Sequence, residues 1–546
     1  MFKKTYITIV SLTLIVGLFS FSIEDKYFEI TKNLDIFASL YSEVNKYYVD
    51  EVNPNEMIKV GIDAMLEKLD PYTVYIPEDA IEDFRTNATG EYGGIGILSN
   101  KIKGRHLILN LYQDSPAEKK GIEIGDEIIQ IDDQSIIEMS DEEAGKLLKG
   151  QSGTEVRLTV LRNKKKTIEF TVQRKKITIP NISYSTMLEE NVGYFKLSEF
   201  TRSAGEDVKK TVIELKEQGA KNLIIDLRGN PGGLLNEAVN ICNLFVPKGS
   251  KIVDTKGKTK AQSFSYEAKE SPLDLEIPIA VLIDQRSASA SEIVSGVIQD
   301  YDRGIIVGEK SYGKGLVQVS RPLSFNSQLK VTTAKYYIPS GRCIQALDYI
   351  HKNADGSAGT MADSLKKEFK TSNNRKVMEG GGVDPDISVK IADRSAFAKN
   401  LSESGLIFDY ATEYFYNHDS IASPKLFSIT EIEYEAFSQW MKSKSFENSS
   451  NVESGLKMLR EAATADKAYH GLIPEIDAID DQMNIIKSNG LTDFKSEIKL
   501  LLEKEIIKRY YLTSGLLEAT LDKDEFIQEA LLYLGDENKY RSTLGG

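Results

Sequence analysis

Apolar positions along this chain fall into blocks of different period. Ile36, Leu40, Val44 and Tyr47, followed by Met57, Val60, Ile62, Met65 and Leu66, are spaced as on helices, so residues 30–85 are predicted to be a helical region. Short β-type runs take over from Tyr92, among them Val156 to Leu161, with glycines and Ser115-Pro116 between them. From Val192 onward strands and helices alternate: strand 192–197, helix 203–218, strand 222–227, helix 234–245, strand 278–284, helix 289–300 and strand 304–308. Such alternation predicts an α/β core, closed by the segment Gly380 to Ile387. Residues 395–546 return to helical spacing, with Val452, Leu456 and Leu459 on one face and Phe494, Ile498, Leu501 and Leu502 on another, and they hold the single tryptophan, Trp440.

The first residues carry a different pattern. Lys3 and Lys4 precede an uncharged stretch from Thr5 to Ile23, and Glu24 and Asp25 end it. That is long enough to span a bilayer marginally, and it also fits a secretory signal with Ser20-Phe21-Ser22 as a weak cleavage site. Residues 1–23 are therefore expected to be a signal peptide or a membrane anchor. Basic residues before the stretch and acidic ones after it direct the body out of the cytoplasm, to the periplasmic side of a cell envelope.

Composition narrows the class of protein. A length of 546 residues exceeds what one hydrophobic core usually supports. The formal charge of −14, from 82 acidic and 68 basic residues, argues against a nucleic-acid partner; Lys164-Lys165-Lys166 reads as a solvated hairpin tip. Two cysteines, Cys242 and Cys343, make no disulfide framework, and whether they pair is left open. No metal-ligand spacing appears, and no cofactor is expected.

The chemistry concentrates in Ser287-Ala288-Ser289-Ala290-Ser291-Glu292. An apolar run from Pro278 to Ile283 leads in, and Ile293, Val294, Val297 and Ile298 lead out at helical spacing. A serine at a strand-to-helix joint exposes its hydroxyl, and the first helical N–H groups are free to stabilise an oxyanion. Taken alone, the block favours a serine-capped helix over a nucleophile. None of the four histidines, His106, His351, His418 and His470, lies near it, which leaves a lysine as the best base for Ser289. Gly313-Lys314-Gly315-Leu316-Val317-Gln318 reads as a strand opened by glycines, with Lys314 and Gln318 on one face. The turn Gly229-Asn230-Pro231-Gly232-Gly233 follows the buried-looking strand ending at Leu227, and Asp226 and Arg228 are placed to pair beside it.

These motifs, in this order, closely resemble those of the carboxyl-terminal processing peptidases, the tail-specific proteases, over residues 35–390. The resemblance implies a spiral β-β-α core like that of crotonase-like enzymes, within a multi-domain α/β chain. It implies Ser289 as nucleophile, Lys314 as general base, Gln318 as the residue that orients Lys314, and the amides of Gly233 and Ala290 as the oxyanion hole. A lysine can act as base only when neutral, which a water-poor site favours.

A second module precedes this one. Tyr92-Gly93-Gly94-Ile95-Gly96-Ile97 and Gly125-Asp126-Glu127-Ile128-Ile129-Gln130-Ile131 resemble a PDZ domain, with Gly94, Ile95, Gly96 and Ile97 as the loop that holds a peptide's terminal carboxylate. The expected domains are thus 30–85 helical, 88–178 PDZ, 180–390 protease core and 395–546 helical extension. The expected partners are polypeptides with free C-termini, a membrane through residues 5–23, and a second copy of the chain through the N-terminal helices, a region the family often uses in dimer contacts. The expected function is a Ser-Lys endopeptidase of the cell envelope that cuts polypeptides at or near their C-terminus. The alternatives are a catalytically silent PDZ scaffold and a crotonase-like acyl-thioester enzyme.

Overall fold

The structure is a computed structural model that describes residues 27–353, 355–360, 364, 366–390, 394–444, 446 and 451–546. The predicted leader or anchor over residues 5–23 lies outside the described residues. None of the described helices is long and apolar enough to cross a membrane. The chain divides into two units, the first ending at Ile76 and including Ser320–Val331, the second formed by Pro77–Val319 and Thr332–Gly546.

In the first unit, residues 27–47 are helical, and a second helix, Pro54–Glu67, begins with proline at its first position. The Asn53 side chain caps it by accepting from the N–H groups of Asn55 and Glu56. Strand Val74–Ile76 then pairs antiparallel with Gln328 to Lys330. This strand interrupts the helical region predicted over 30–85, which resumes with helix Ile81–Thr89 in the second unit. Asp70-Pro71 ends the helical pattern, the β-prone Val74-Tyr75-Ile76 follows, and residues 77–85 belong to the second unit.

The second unit contains a β-sheet module and a larger α/β core. The module's sheet runs in the order Ile97–Ile102, Arg105–Leu111, Glu127–Ile131, Glu155–Arg162 and Lys166–Gln173, so Ile97–Ile102 is an edge strand. Asp141–Leu148 is its longer helix, opened by Ser140 and Glu143 in a reciprocal cap. The predicted Lys164 hairpin tip is present, yet Lys164 pairs with Asp409 at 2.8 Å.

The core sheet has six strands in the order Ile182–Met187, Val192–Leu197, Asn222–Asp226, Ile279–Ile283, Ile305–Gly308 and Ile387–Ser388, all parallel after the first pair. The four strands from Val192 to Gly308 fall within one residue of those predicted, and Ile182–Met187 was not predicted. The central strands are mostly apolar, Leu223 to Ile225 and Ile279 to Ile283, because both faces are covered. On one face Phe195, Ile225 and Val281 pack against Val208 and Val212 of helix Ala204–Glu217, Ile241 of Leu235–Asn243 and Val294 of Ala290–Asp300. On the other, Tyr194, Ile224, Leu282 and Val307 pack against Phe526, Ile527 and Leu534 of helix Glu525–Leu534, and against Tyr540. The last helices of the predicted helical extension 395–546 are therefore the second cover of the sheet. Cys242 and Cys343 are both buried as free thiols and form no disulfide.

Candidate active site

The turn that leaves the strand Ile279–Ile283 is organised by Asp284. Its Oδ1 accepts from the N–H groups of Arg286 and Ser287 at 3.0 Å each and from Gly229 N–H at 2.9 Å. Ser289 ends the turn with φ 55° and ψ −111°, a backbone region that side chains avoid and that costs on the order of 1–3 kcal/mol. The conformation leaves Ser289 half-buried between buried Ala288 and Ala290. Helix Ala290–Asp300 begins immediately, so the Ala290 N–H sits in a first turn that has no intrahelical acceptor for it.

Glu292 ties this turn to the lysine loop. It is fully buried, and its Oε2 accepts from Ser289 N–H at 2.8 Å and from Lys314 N–H at 2.9 Å. Its Oε1 accepts from Ser311 Oγ at 2.5 Å and from Gly313 N–H at 2.7 Å. Burial pushes its carboxyl above the usual range, opposed by these four hydrogen bonds to the ionised form. Tyr336, also buried, adds a second tie: its hydroxyl lies 3.1 Å from the Ser289 carbonyl oxygen and 2.7 Å from that of Lys314. Two side chains thus hold the backbones of Ser289 and Lys314 side by side.

Lys314 lies in the loop ahead of the strand Leu316–Pro322, and does not open that strand as predicted, because Glu292 claims the N–H groups of Gly313 and Lys314. Its flanking glycines answer a real crowding: a Cβ on Gly313 would lie 2.4 Å from the Ala346 Cβ, and one on Gly315 would lie 2.7 Å from the Gln345 nitrogen. Gln318 is on the strand, where its Nε2 donates to Thr332 Oγ1 at 3.2 Å.

The glycine-rich turn approaches from the neighbouring strand Asn222–Asp226. Asn230, fully buried, accepts from Gly232 N–H at 2.8 Å and donates to the Leu197 carbonyl at 2.7 Å. Its own carbonyl accepts from Ala288 N–H at 3.1 Å and from Ser291 Oγ at 3.0 Å. A Cβ on Gly232 would stand 2.8 Å from the Ala290 nitrogen and 2.8 Å from the Ser289 Cβ, so only glycine permits this approach. Gly233 follows, bridged to Phe200. At the base of the turn Asp226 accepts from Arg228 Nε at 2.9 Å, Arg228 Nη2 at 2.7 Å and the Tyr194 hydroxyl at 2.7 Å. Burial opposes ionisation of Asp226, but Arg228 and Lys196 outweigh it and hold the carboxyl well below the usual range. The Asp226–Arg228 pairing anticipated from sequence is present and buried.

In the β-sheet module, Ile95 is buried in the module's core, its carbonyl accepting from Ala117 N–H at 3.0 Å. Gly96 has φ +80° and accepts from Tyr112 N–H at 3.0 Å, so Ile95 and Gly96 form a fixed connection between Gly94, which ends the strand Glu91–Gly94, and Ile97, which opens the edge strand. A cavity of about 800 Å³ opens next to it, lined by Tyr92, Gly93, Lys146 and Lys149.

Glu292, Asn230, Gly232 and Tyr336 were not singled out from sequence. The spacing Ser289-x-x-Glu292 is the pattern of a reciprocal helix cap and was a readable signal. Tyr336, distant in sequence, carried none.

Residues 191–353 match the profile of peptidase family S41, residues 107–162 that of a PDZ domain, and residues 397–534 that of a probable PDZ-protease C-terminal helical domain. A carboxy-terminal-processing protease of Bartonella bacilliformis is 35% identical over 321 residues, covering 58% of this chain and 73% of that one. A probable CtpA-like serine protease of Staphylococcus aureus is 31% identical over 384 residues, covering 70% and 75%. Among solved structures, a photosystem II D1 C-terminal processing protease matches at 24% identity and a TM-score of 0.35, covering 65% of this chain and 92% of that chain. These matches are those of a serine-type peptidase carrying a PDZ domain. The chain belongs to the carboxyl-terminal processing peptidases of family S41. That membership removes the silent scaffold and the acyl-thioester enzyme as readings.

Proposed function

We propose that the protein is a Ser-Lys endopeptidase that cuts polypeptides at or near their C-terminus. The observation that carries this reading is the Glu292 carboxylate, which holds Ser289 N–H and Lys314 N–H on one oxygen. Ser289 Oγ attacks the scissile carbonyl and its proton passes to the neutral Lys314 amine. The amides of Gly233 and Ala290 receive the oxyanion, and Lys314 returns the proton to the leaving amine. Water, deprotonated by Lys314, then attacks the acyl carbon, and the bond to Ser289 Oγ breaks as Lys314 returns that proton to Oγ. Gln318 orients the lysine. The reading also has the rate rise from acid towards mildly alkaline pH as the lysine loses its proton.

The PDZ domain captures the substrate's tail. A peptide adds to the edge strand Ile97–Ile102 with its terminal carboxylate at Gly94 to Ile97. Residues 5–23, uncharged and preceded by Lys3 and Lys4, place the body on the periplasmic side of a cell envelope, cleaved or held at the membrane. The N-terminal helices meet a second copy of the chain, a reading supported by exposed Phe28, Leu34, Phe37, Leu40, Met57 and Val60 within the first unit.

The test is digestion of an unfolded polypeptide by the wild type, Ser289→Ala and Lys314→Ala, with free-acid and amidated substrates. Both variants lose activity by about 10³-fold or more, and amidation slows the wild type. Substantial turnover by either variant would overturn the dyad, and equal cleavage of both substrates would overturn tail recognition.

A further inference from the structure

Arg228, at the base of the glycine-rich turn, makes a second ion pair outside the protease core. Its Nη1 donates to Asp524 Oδ1 at 2.8 Å and Oδ2 at 2.9 Å, and its guanidinium lies 4.7 Å from the Phe526 ring centroid. Both partners are shielded, with side-chain exposures of 15% for Arg228 and 23% for Asp524. Asp524 also begins helix Glu525–Leu534, its Oδ1 accepting from Phe526 N–H at 3.0 Å and Ile527 N–H at 3.2 Å. Arg228 has its other donors on Asp226, and its carbonyl accepts from Lys196 Nζ at 2.8 Å. The residue that starts the turn is thus fixed from three sides, and one of them is supplied by the C-terminal helices.

We propose that Asp524 is a positioning residue for catalysis, which sets the glycine-rich turn through Arg228. The chain of contacts is short. Asp524 grips the Arg228 guanidinium, Gly229 N–H is held by Asp284 of the nucleophile turn, and Gly232 lies against Ser289 and Ala290. Asp226 and Asp524 together balance the charges of Arg228 and Lys196. Neutralising Asp524 leaves a shielded cation with one carboxylate fewer, so the guanidinium turns towards solvent and takes the turn's first residue with it. Donors aimed at an oxyanion act only within a few tenths of an ångström of their place, and misplacement by about 1 Å is worth about 10²-fold in rate. The proposal rests on the Ser-Lys reading above, in which Gly233 of this turn is an oxyanion donor.

Asp524→Asn is the informative change in the full-length chain, because asparagine caps a helix as well as aspartate does and keeps acceptors for Phe526 and Ile527. Tyr540→Phe is the companion variant. It removes the hydroxyl that bonds the Ile279 N–H and carbonyl, so it loosens the same C-terminal helices without touching Arg228. The readouts are kcat and KM on an unfolded polypeptide, the thermal midpoint, and the second-order rate of labelling by a fluorophosphonate. We expect Asp524→Asn to label and turn over at least tenfold more slowly with KM within twofold and a midpoint near that of the wild type. Tyr540→Phe should lower the midpoint and leave both rates within twofold. Rates for Asp524→Asn within twofold of wild type, or an equal loss of rate in Tyr540→Phe, would overturn the positioning role. Labelling that persists in Ser289→Ala would instead overturn the Ser-Lys reading itself.

Discussion

Glu292 carries four hydrogen bonds on two oxygens, and the hydrogen-bond inventory of a glutamine shows why no neutral substitute serves. An amide offers one oxygen and one NH2 group, so its NH2 faces either the N–H groups of Ser289 and Lys314 or the N–H of Gly313, and in each orientation at least one backbone donor meets a donor. Glu292→Gln should lose about 1–3 kcal/mol of stability, measured by urea unfolding, and about 10²-fold in activity, because Ser289 and Lys314 lose their common anchor. Activity within a few fold of wild type would show that the two backbones hold their places without it. Asp226 makes a prediction about pH. Its carboxyl is depressed by Arg228, so the pair's contribution is fully present above the ordinary carboxylate value of 3.8 and is lost as pH falls below it. Asp226→Asn should therefore be less stable than wild type by roughly 3–5 kcal/mol at neutral pH, and the gap should narrow between about pH 4 and pH 2. A gap that stays constant to low pH would contradict the assignment.

At the scale of elements, the strands and helices between Val192 and Gly308 were legible because each strand is buried on both faces, which writes a continuous apolar run into the sequence. The Ser289 turn was legible for a related reason, since small residues between an apolar strand and a helical pattern allow few other geometries. The register of Lys314 was misread because alternation predicts a strand wherever it holds, whereas the Glu292 hydrogen bonds that end the strand early come from a helix elsewhere. The role of helices Glu525–Leu534 and Glu537–Thr543 was invisible. Their apolar residues show that they are covered, but not that they cover Tyr194, Ile224, Leu282 and Val307. This placement has a consequence for truncation. A chain ending at residue 522 should expose that face of the sheet, lose its cooperative thermal transition and lose activity, even though it keeps every proposed dyad and oxyanion residue. A soluble, active truncated chain would show that the protease core stands on residues 180–390 alone.

Across the second unit, the PDZ domain is docked on the C-terminal helices as well as joined to the core by sequence. Arg105 donates to both Asp409 oxygens at 3.0 and 3.1 Å, Asn110 donates to Thr513 at 3.0 Å, and Phe408 and Leu512 pack on the PDZ core. Gly125 meets Thr412 so closely that a Cβ there would lie 2.6 Å from its methyl carbon, and its φ of +102° favours glycine as well. Gly125→Val should prise the PDZ domain from these helices, seen as faster cleavage of residues 88–178 by an added protease while the core stays resistant. Unchanged resistance would mean that the docking contributes little. Leu512, which packs on the PDZ core, belongs to helix Lys495–Leu521, and Asp524, which grips Arg228, caps the next helix, Glu525–Leu534, so two consecutive C-terminal helices reach the PDZ domain and the glycine-rich turn.

The central claim is that Ser289 is the nucleophile and that Lys314 activates it. Fluorophosphonate labelling followed by mass spectrometry tests both halves at once. The account predicts one adduct, on Ser289 in the tryptic peptide 287–303, and no appreciable labelling of Lys314→Ala with its thermal midpoint retained. An adduct on another residue, or full labelling of Lys314→Ala, would contradict it.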